Sequence, residues 1–329
     1  MKNVFYIYCV IIGTLVGAGF ASGSEINLFF NQYGLLGIVG IIVSSALFGI
    51  IIYKSILLAH KHNLTSFSKY LEQKYQNKKI HNVIHILINV FTCATFFVMV
   101  SGFGSFFKQD LNISKFVGCF IIAIMCYFTF RKKTTGIIDI NKLLIPIIVI
   151  FIFILGIKVY LQNSNFSVPN FYKINFLPSA VLYTSYNSII LIPLLFALKD
   201  YTKDQKHIFL VSITSSATLL ILSLTIFLIL SISHIPENID LPVLFLTNKL
   251  GTSYKIGYAI FFLSAIFTSA ISAGFSFLKN INPKYYSICN ILLCSCSLLF
   301  SFFSFSNLIE FLYPFFGFLG LINFLIILF

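Results

Sequence analysis

Charge is scarce in this chain: 9% of its 329 residues are Asp, Glu, Lys or Arg, only nine are acidic, and Arg131 is the single arginine. With 58% hydrophobic residues and a mean hydropathy of +0.96, the composition excludes a soluble globular domain and indicates a polytopic membrane protein. The net charge of +13 would suggest nucleic acid in a soluble protein. Here there is no separate basic domain, so nucleic acid is not expected as a partner, and the charge matters through which loops carry the lysines.

Clusters that could carry chemistry are equally thin. Cys9, Cys93, Cys119, Cys126, Cys289, Cys294 and Cys296 all lie in apolar segments without a CxxC pair, which excludes a disulfide framework or zinc site and leaves them as small packing residues. His81 and His85 are spaced to share a helix face but have no matching carboxylate, so they read as interfacial polar residues. The spans lack the grouped His, Asp or Cys that intramembrane chemistry requires, so an enzyme is not expected. Lys2, the following apolar run and Gly19-Phe20-Ala21-Ser22 imitate a secretory signal. The glycines begin too early and a helix-length apolar stretch resumes at Ile26, so the segment is expected to be retained.

What the chain does have is an unusual first hydrophobic segment. From Gly13 to Glu25, four glycines and three hydroxyl residues occupy thirteen positions. A glycine inside a helix costs up to about 1 kcal/mol relative to alanine, and backbone groups freed within lipid must be satisfied by protein. The stretch therefore predicts a broken helix lining a protected cavity, a pattern that marks solute sites in transporters.

A spanning helix needs about 20 apolar residues. Ten segments qualify, near 4–31, 34–59, 83–107, 113–130, 136–161, 178–198, 207–232, 254–279, 285–304 and 307–328. Leu241 to Leu250, bounded by Pro236 and Gly251, is too short to cross and reads as an interfacial or lid helix. With the N-terminus cytoplasmic, sixteen Lys and Arg residues fall on that side and six on the other. The positive-inside rule thus puts both termini in the cytoplasm.

Ten spans divide into five plus five, and an odd-numbered unit repeated in tandem emerges inverted. The chain is expected to be one transmembrane domain, with repeats over about 1–162 and 176–329. The sixth span should then also be interrupted, and it contains Tyr183-Thr184-Ser185-Tyr186-Asn187-Ser188 followed by Pro193, which cannot donate to the carbonyl of Ile189. Small residues in membrane helices also serve close packing, and Ser101, Gly102, Gly104, Gly317 and Gly320 are assigned that role.

Gly13-Thr14-Leu15-Val16-Gly17-Ala18-Gly19 resembles the G-x-x-V-G-x-G of the unwound first helix in LeuT-like transporters of the amino acid, polyamine and organocation superfamily. The longer GAGFASGSE stretch is similar to YkvI-type bacterial membrane proteins. The resemblance implies an all-α, ten-helix inverted repeat in a bacterial cell membrane, with the first and sixth helices interrupted around a small solute. Exposed N–H groups of one half-helix and carbonyls of another suit the two charges of an amino acid. The substrate site is expected at Gly17, Ala18, Gly19, Phe20, Ala21 and Ser22 opposite Tyr183, Ser185, Tyr186 and Asn187.

A second spacing match, Ala265, Thr268 and Ser269, resembles the A-x-x-T-S that completes a sodium site in sodium-coupled LeuT-like transporters. By the same resemblance, Gly13 and Val16 would add carbonyls. No cofactor beyond a sodium ion is implied. Where neurotransmitter relatives have an arginine beyond the first break, this chain has Gly23 and then Glu25, so that gate does not carry over. Glu25 and Glu310 fall toward the outer side as candidate gate or proton sites, with hydration at the interface the plainer reading. Asp139 and Lys142 are likewise expected at the inner interface. A cation-coupled secondary transporter of a small amino-acid-like solute is the leading reading. The alternatives are a proton-coupled transporter and a solute receptor of the same fold.

The topology is checked by cysteine accessibility. A reporter cysteine at Lys74 should be shielded from an impermeant reagent applied to intact cells, and labelling from outside would overturn the ten-span orientation.

Overall fold

The computed structural model describes residues 2–74, 78–162, 175–232, 242–303 and 305–328. Each of the ten apolar segments is helical. The first is α1 (Lys2–Leu15), α2 (Ala18–Ser22) and α3 (Ser24–Phe29), followed by α4 (Leu35–Lys61), the short α5 (Phe67–Lys74), α6 (Lys78–Asp110), α7 (Lys115–Arg131) and α8 (Lys133–Gln162). The second half comprises α9 (Phe176–Ala197), α10 (Gln205–Ile232), the short α11 (Pro242–Leu250), α12 (Thr252–Lys279), α13 (Tyr286–Ser297) and α14 (Phe305–Leu328). Among the described residues, seven helices are long and apolar enough to cross a membrane. α1 is not, because the break stops it after 14 residues.

The outer surface is that of a protein solvated by lipid. Phe116, Phe120, Ile124 and Phe128 are exposed at four-residue spacing on α7, and Leu143, Ile147, Ile150, Ile154, Ile157 and Leu161 form a similar stripe on α8. Such stripes have no place in water but are the expected outer face of a membrane bundle. The centre is built from α1, α9 and α12. From Tyr183 to Ala197 every residue of α9 is buried, as is every residue of α12 from Ala265 to Ser276.

The helices pack in corresponding pairs. α1 lies against α8 and α10, as α9 lies against α14 and α4. α6 packs on α7 and α14, as α12 packs on α13 and α8. α11 lies on α12 with contacts to α2 and α10, and its Val243, Leu246 and Thr247 are buried. It therefore caps the bundle beside the first-helix break.

The sixth segment corrects the expectation of a second interruption, because α9 is one continuous helix of 22 residues. Its polar side chains bond to their own helix and so do not unwind it. Thr184 Oγ1 donates to Ala180 O at 2.8 Å, Asn187 Nδ2 to Tyr183 O at 3.0 Å and Ser188 Oγ to Ser185 O at 2.7 Å. Beside Pro193, Ser276 Oγ of α12 donates to Ile190 O at 3.1 Å. A neighbouring hydroxyl thus reinforces the segment where proline removes a backbone donor.

The packing assignments of Gly102, Gly104 and Gly320 fit the structure. A Cβ on Gly102 would lie 2.7 Å from the Phe305 ring, and one on Gly104 2.6 Å from Lys115 O. At Gly320 it would lie 2.1 Å from Ser185 O, so bare backbone of α14 touches backbone of α9. Ser101 Oγ does more than pack, since it accepts from Lys115 Nζ at 2.9 Å.

Gly320→Ala should therefore destabilise the protein by about 1–3 kcal/mol, the usual cost of overpacking. Gly317→Ala, whose Cβ would meet only Leu182 Cδ2 at 3.6 Å, should be close to neutral. Thermal unfolding of the two variants in detergent checks this, and equal stability would mean that α14 does not press on α9.

Candidate functional site

The site is organised by the first-helix break. α1 ends at Leu15, and Val16 N donates back to Ile12 O at 2.8 Å. Gly17 then takes an extended conformation, with φ −92° and ψ −167°, as the cap of α2. The first bond of the new turn runs from Ala21 N to Gly17 O at 2.8 Å. The N–H groups of Ala18, Gly19 and Phe20 consequently have no partner inside α2. The turn lasts only to Ser22, because Gly23 is left-handed at φ 82°, a conformation that glycine adopts without steric cost. Ser22 Oγ donates to Gly19 O at 3.0 Å and lies 2.9 Å from Ser24 Oγ, so this hydroxyl is engaged in the turn.

The turn at Gly23 also re-aims α3. Glu25 and Ile26 point inward and Glu25 is only 3% exposed. This corrects the reading of Glu25 as a hydrated interfacial carboxylate. Its helix packs on α9, where the Tyr183 ring lies 5.4 Å from Phe29, 5.1 Å from Phe30 and 5.8 Å from Phe48. Keeping a carboxylate charged in such surroundings costs several kcal/mol unless it is compensated. The backbone of Glu310 lies in α14, and its side chain lies outside the described residues.

Of the five expected cation-binding residues, the structure brings Ser269 of α12 against Gly13 of α1. Ser269 Oγ donates to Gly13 O at 3.2 Å and lies 3.4 Å from Thr14 O. A Cβ on Gly17 would sit 2.9 Å from the same Ser269 oxygen. Thr268 Oγ1 donates within its own helix to Ala265 O at 3.0 Å. Val16 is fully buried at the break.

The expected substrate residues are all buried, but the two sets do not meet as a simple face-to-face pair. α2 packs mainly on α12 and α11, while α9 meets the first segment through α1 and α3. Tyr183 turns toward α3 and α4, and Tyr186 toward Phe91 of α6 at 6.3 Å. Ser185 Oγ is fully buried and has no hydrogen-bond partner.

Four participants escaped the sequence reading: Thr14, Ser272, Ser276 and Asn141. Thr14 Oγ1 contacts Val10 O at 2.7 Å and Ser272 Oγ at 2.8 Å, tying α1 to α12. Ser276 holds α9 as described. Asn141 of α8 is fully buried against Gly13. The i, i+4 spacing of Thr268, Ser272 and Ser276 places them on one helix face, a signal in the sequence that would have found the two serines. Nothing in the sequence marks Asn141.

The remaining assignments are peripheral. Lys142 Nζ and Asp139 Oδ1 form an exposed pair at 3.1 Å, as expected at an interface. His85 Nε2 lies 3.3 Å from Asn280 O, the side chain of His81 lies outside the described residues, and no group of three potential metal ligands occurs among those described. All seven cysteines are free thiols. Pro236 and Leu241 lie outside the described residues.

Comparison with solved structures gives the class. The chain matches Mhp1, a nucleobase-cation-symport-1 family transporter in a closed conformation with bromovinylhydantoin bound, at a TM-score of 0.69 and 12% identity over 96% of this chain and 74% of that one. It matches MhsT in complex with L-phenylalanine at 0.65 and 14% identity over 90% and 78%. A Na+-coupled sialic acid symporter matches at 0.65 and 13% identity over 91% and 72%. The protein is thus a multi-pass membrane protein with the LeuT fold, and its structural neighbours are secondary transporters.

In sequence it is similar to the uncharacterised membrane protein YkvI of Bacillus subtilis, with 25% identity over 267 residues, 80% of this chain and 76% of YkvI. YyaD of the same organism is 31% identical over 140 residues, 43% of this chain and 40% of YyaD. No family model matches the chain.

Proposed function

We propose that the protein is a secondary active transporter of a small amino-acid-like solute, coupled to sodium and working by alternating access. The observation that carries the reading is the meeting of Ser269 with Gly13 at the break, 3.2 Å apart and buried between α1 and α12. A broken helix in a membrane bundle needs its loose carbonyls satisfied, and neutral oxygens of carbonyl and hydroxyl type suit a hard monovalent cation. Gly13, Val16, Ala265, Thr268 and Ser269 would hold it. Donation from Ser269 to Gly13 keeps the two oxygens close, and a bound cation would take over that bridge.

The solute is assigned to the region between the break and α9. Partnerless N–H groups of Ala18, Gly19 and Phe20 offer a place for a carboxylate. The unpaired hydroxyl of Ser185 supports a polar ligand from the α9 side, since an unmet buried polar group costs about 1–3 kcal/mol. Burial throughout the site corresponds to a closed state, from which access must be opened by moving helices. The paired packing of α1 with α8 and α10, and of α9 with α14 and α4, supports a five-plus-five inverted repeat of ten spans. The lysine distribution supports cytoplasmic termini.

Proton coupling has one observation in its favour, the burial of Glu25. In that reading the carboxyl near Tyr183 would carry the proton.

Uptake into proteoliposomes, with amino acids as the first candidates, tests the proposal. Replacing sodium by choline at fixed pH should abolish uptake, and Thr268→Val with Ser269→Ala should remove most of the sodium dependence. Sodium-independent uptake that follows the proton gradient and disappears in Glu25→Gln would select proton coupling. Saturable binding without flux would overturn transport itself.

Pocket occupancy is tested by Gly19→Leu and Asn187→Leu. Each should abolish solute binding while the folded protein is still recovered at wild-type yield. Loss of folded protein in step with binding would make both residues packing elements only.

A further inference from the structure

Three helices converge on Gly13. α1, α8 and α12 pack pairwise around it, and its carbonyl receives the Ser269 hydroxyl from one side. Against the same residue stands Asn141, fully buried on α8. A Cβ built on Gly13 would fall 1.8 Å from Asn141 Oδ1, so the side-chain oxygen rests against the bare backbone of the residue that opens the break. Asn141 Nδ2 donates to Ile137 O at 2.9 Å. Because a carbonyl can only accept, this bond fixes which end of the amide is nitrogen and aims the oxygen at Gly13.

That oxygen has no hydrogen-bond partner. A contact with the Gly13 Cα hydrogens is a weak substitute for a proper donor, and a buried acceptor is costly to leave unmet. The neighbouring charge does not supply one: Lys142 is exposed and pairs with Asp139 at 3.1 Å. A partner from outside the chain would satisfy it.

We propose that Asn141 Oδ1 is a further ligand of the cation held at Gly13 and Ser269, making α8 the third wall of that site. The inference rests on the cation reading above and adds a ligand to it. An amide oxygen is neutral and of the same donor class as the backbone carbonyls beside it. A cation held in this way ties α8 to α1 and α12 at the break, so its binding stabilises the packing of all three helices. Gly13 has to be glycine for the same reason, since any side chain would occupy the place of the Asn141 oxygen.

Sodium binding to the full-length purified protein tests the assignment, read as radioactive sodium retained and as the sodium-dependent rise in unfolding temperature, with choline as the balancing cation. Even outer-shell partners of bound metals change affinity by roughly 10–100-fold, so Asn141→Ala is expected to weaken sodium by roughly tenfold or more. Asn141→Asp keeps the shape and adds charge. It should bind sodium at least as tightly as wild type at alkaline pH and lose it as the carboxyl protonates. Wild-type affinity in Asn141→Ala, as expected if the oxygen holds only a water molecule, would overturn the proposal while leaving the cation site standing. Should Asn141→Ala fail to fold, sodium affinity in Asn141→Asp that equals wild type and does not vary with pH would overturn it equally. Absence of any sodium response in the wild-type protein would overturn both this ligand and the sodium coupling on which it rests.

Discussion

A helix broken inside a membrane bundle leaves backbone groups that lipid cannot satisfy, and the rest of this structure depends on how the protein answers them. The glycines at positions 13, 17, 19 and 23 make the break affordable in backbone strain, but they supply no partners of their own. The backbone partner comes from α12, where Ser269 reaches the carbonyls of Gly13 and Thr14, while Ser272 ties in the Thr14 hydroxyl. This requirement explains why α12 is buried along most of its length although it carries hydroxyls at 268, 269, 272 and 276. A hydroxyl facing lipid would satisfy nobody, whereas one facing α1 or α9 closes a backbone hydrogen-bonding group in its neighbour.

The two halves of the bundle solve the same problem differently. In the first half the chain gives up helical structure at Val16 and Gly17, then turns again at Gly23 and buries Glu25. In the second half α9 retains its helix despite Pro193, because its own Thr184, Asn187 and Ser188 return their hydrogen bonds to it and Ser276 supports the carbonyl of Ile190. The centre is consequently asymmetric, with a broken helix in one half and a continuous one in the other. Backbone donors without an intrahelical bond collect on the broken side, and the regular side contributes aromatic surface from Tyr183 and Tyr186 with the unpaired hydroxyl of Ser185. Such a division suits a ligand whose charged end is read by main chain and whose remainder is enclosed by side chains.

The sequence by itself determined the helical membrane architecture and the place of the first break, and it singled out Gly13 and Ser269, which meet there. These are legible because hydropathy over about 20 residues reports the solvent, which is lipid, and because glycine is a local conformational signal. It did not determine whether α9 would break. A proline and a polar run weaken a helix locally, but whether the weakness becomes a gap depends on the packing around it, here including the bond from Ser276 to the neighbouring Ile190 carbonyl. Burial of Glu25 was hidden for a related reason, since the direction of α3 is set by the left-handed turn at Gly23 and by what packs around it. The burial of Asn141 belongs wholly to the tertiary structure: nothing in the sequence marks this asparagine, and only the approach of α8 to the side-chain-free face of Gly13 gives its oxygen a buried place at the break.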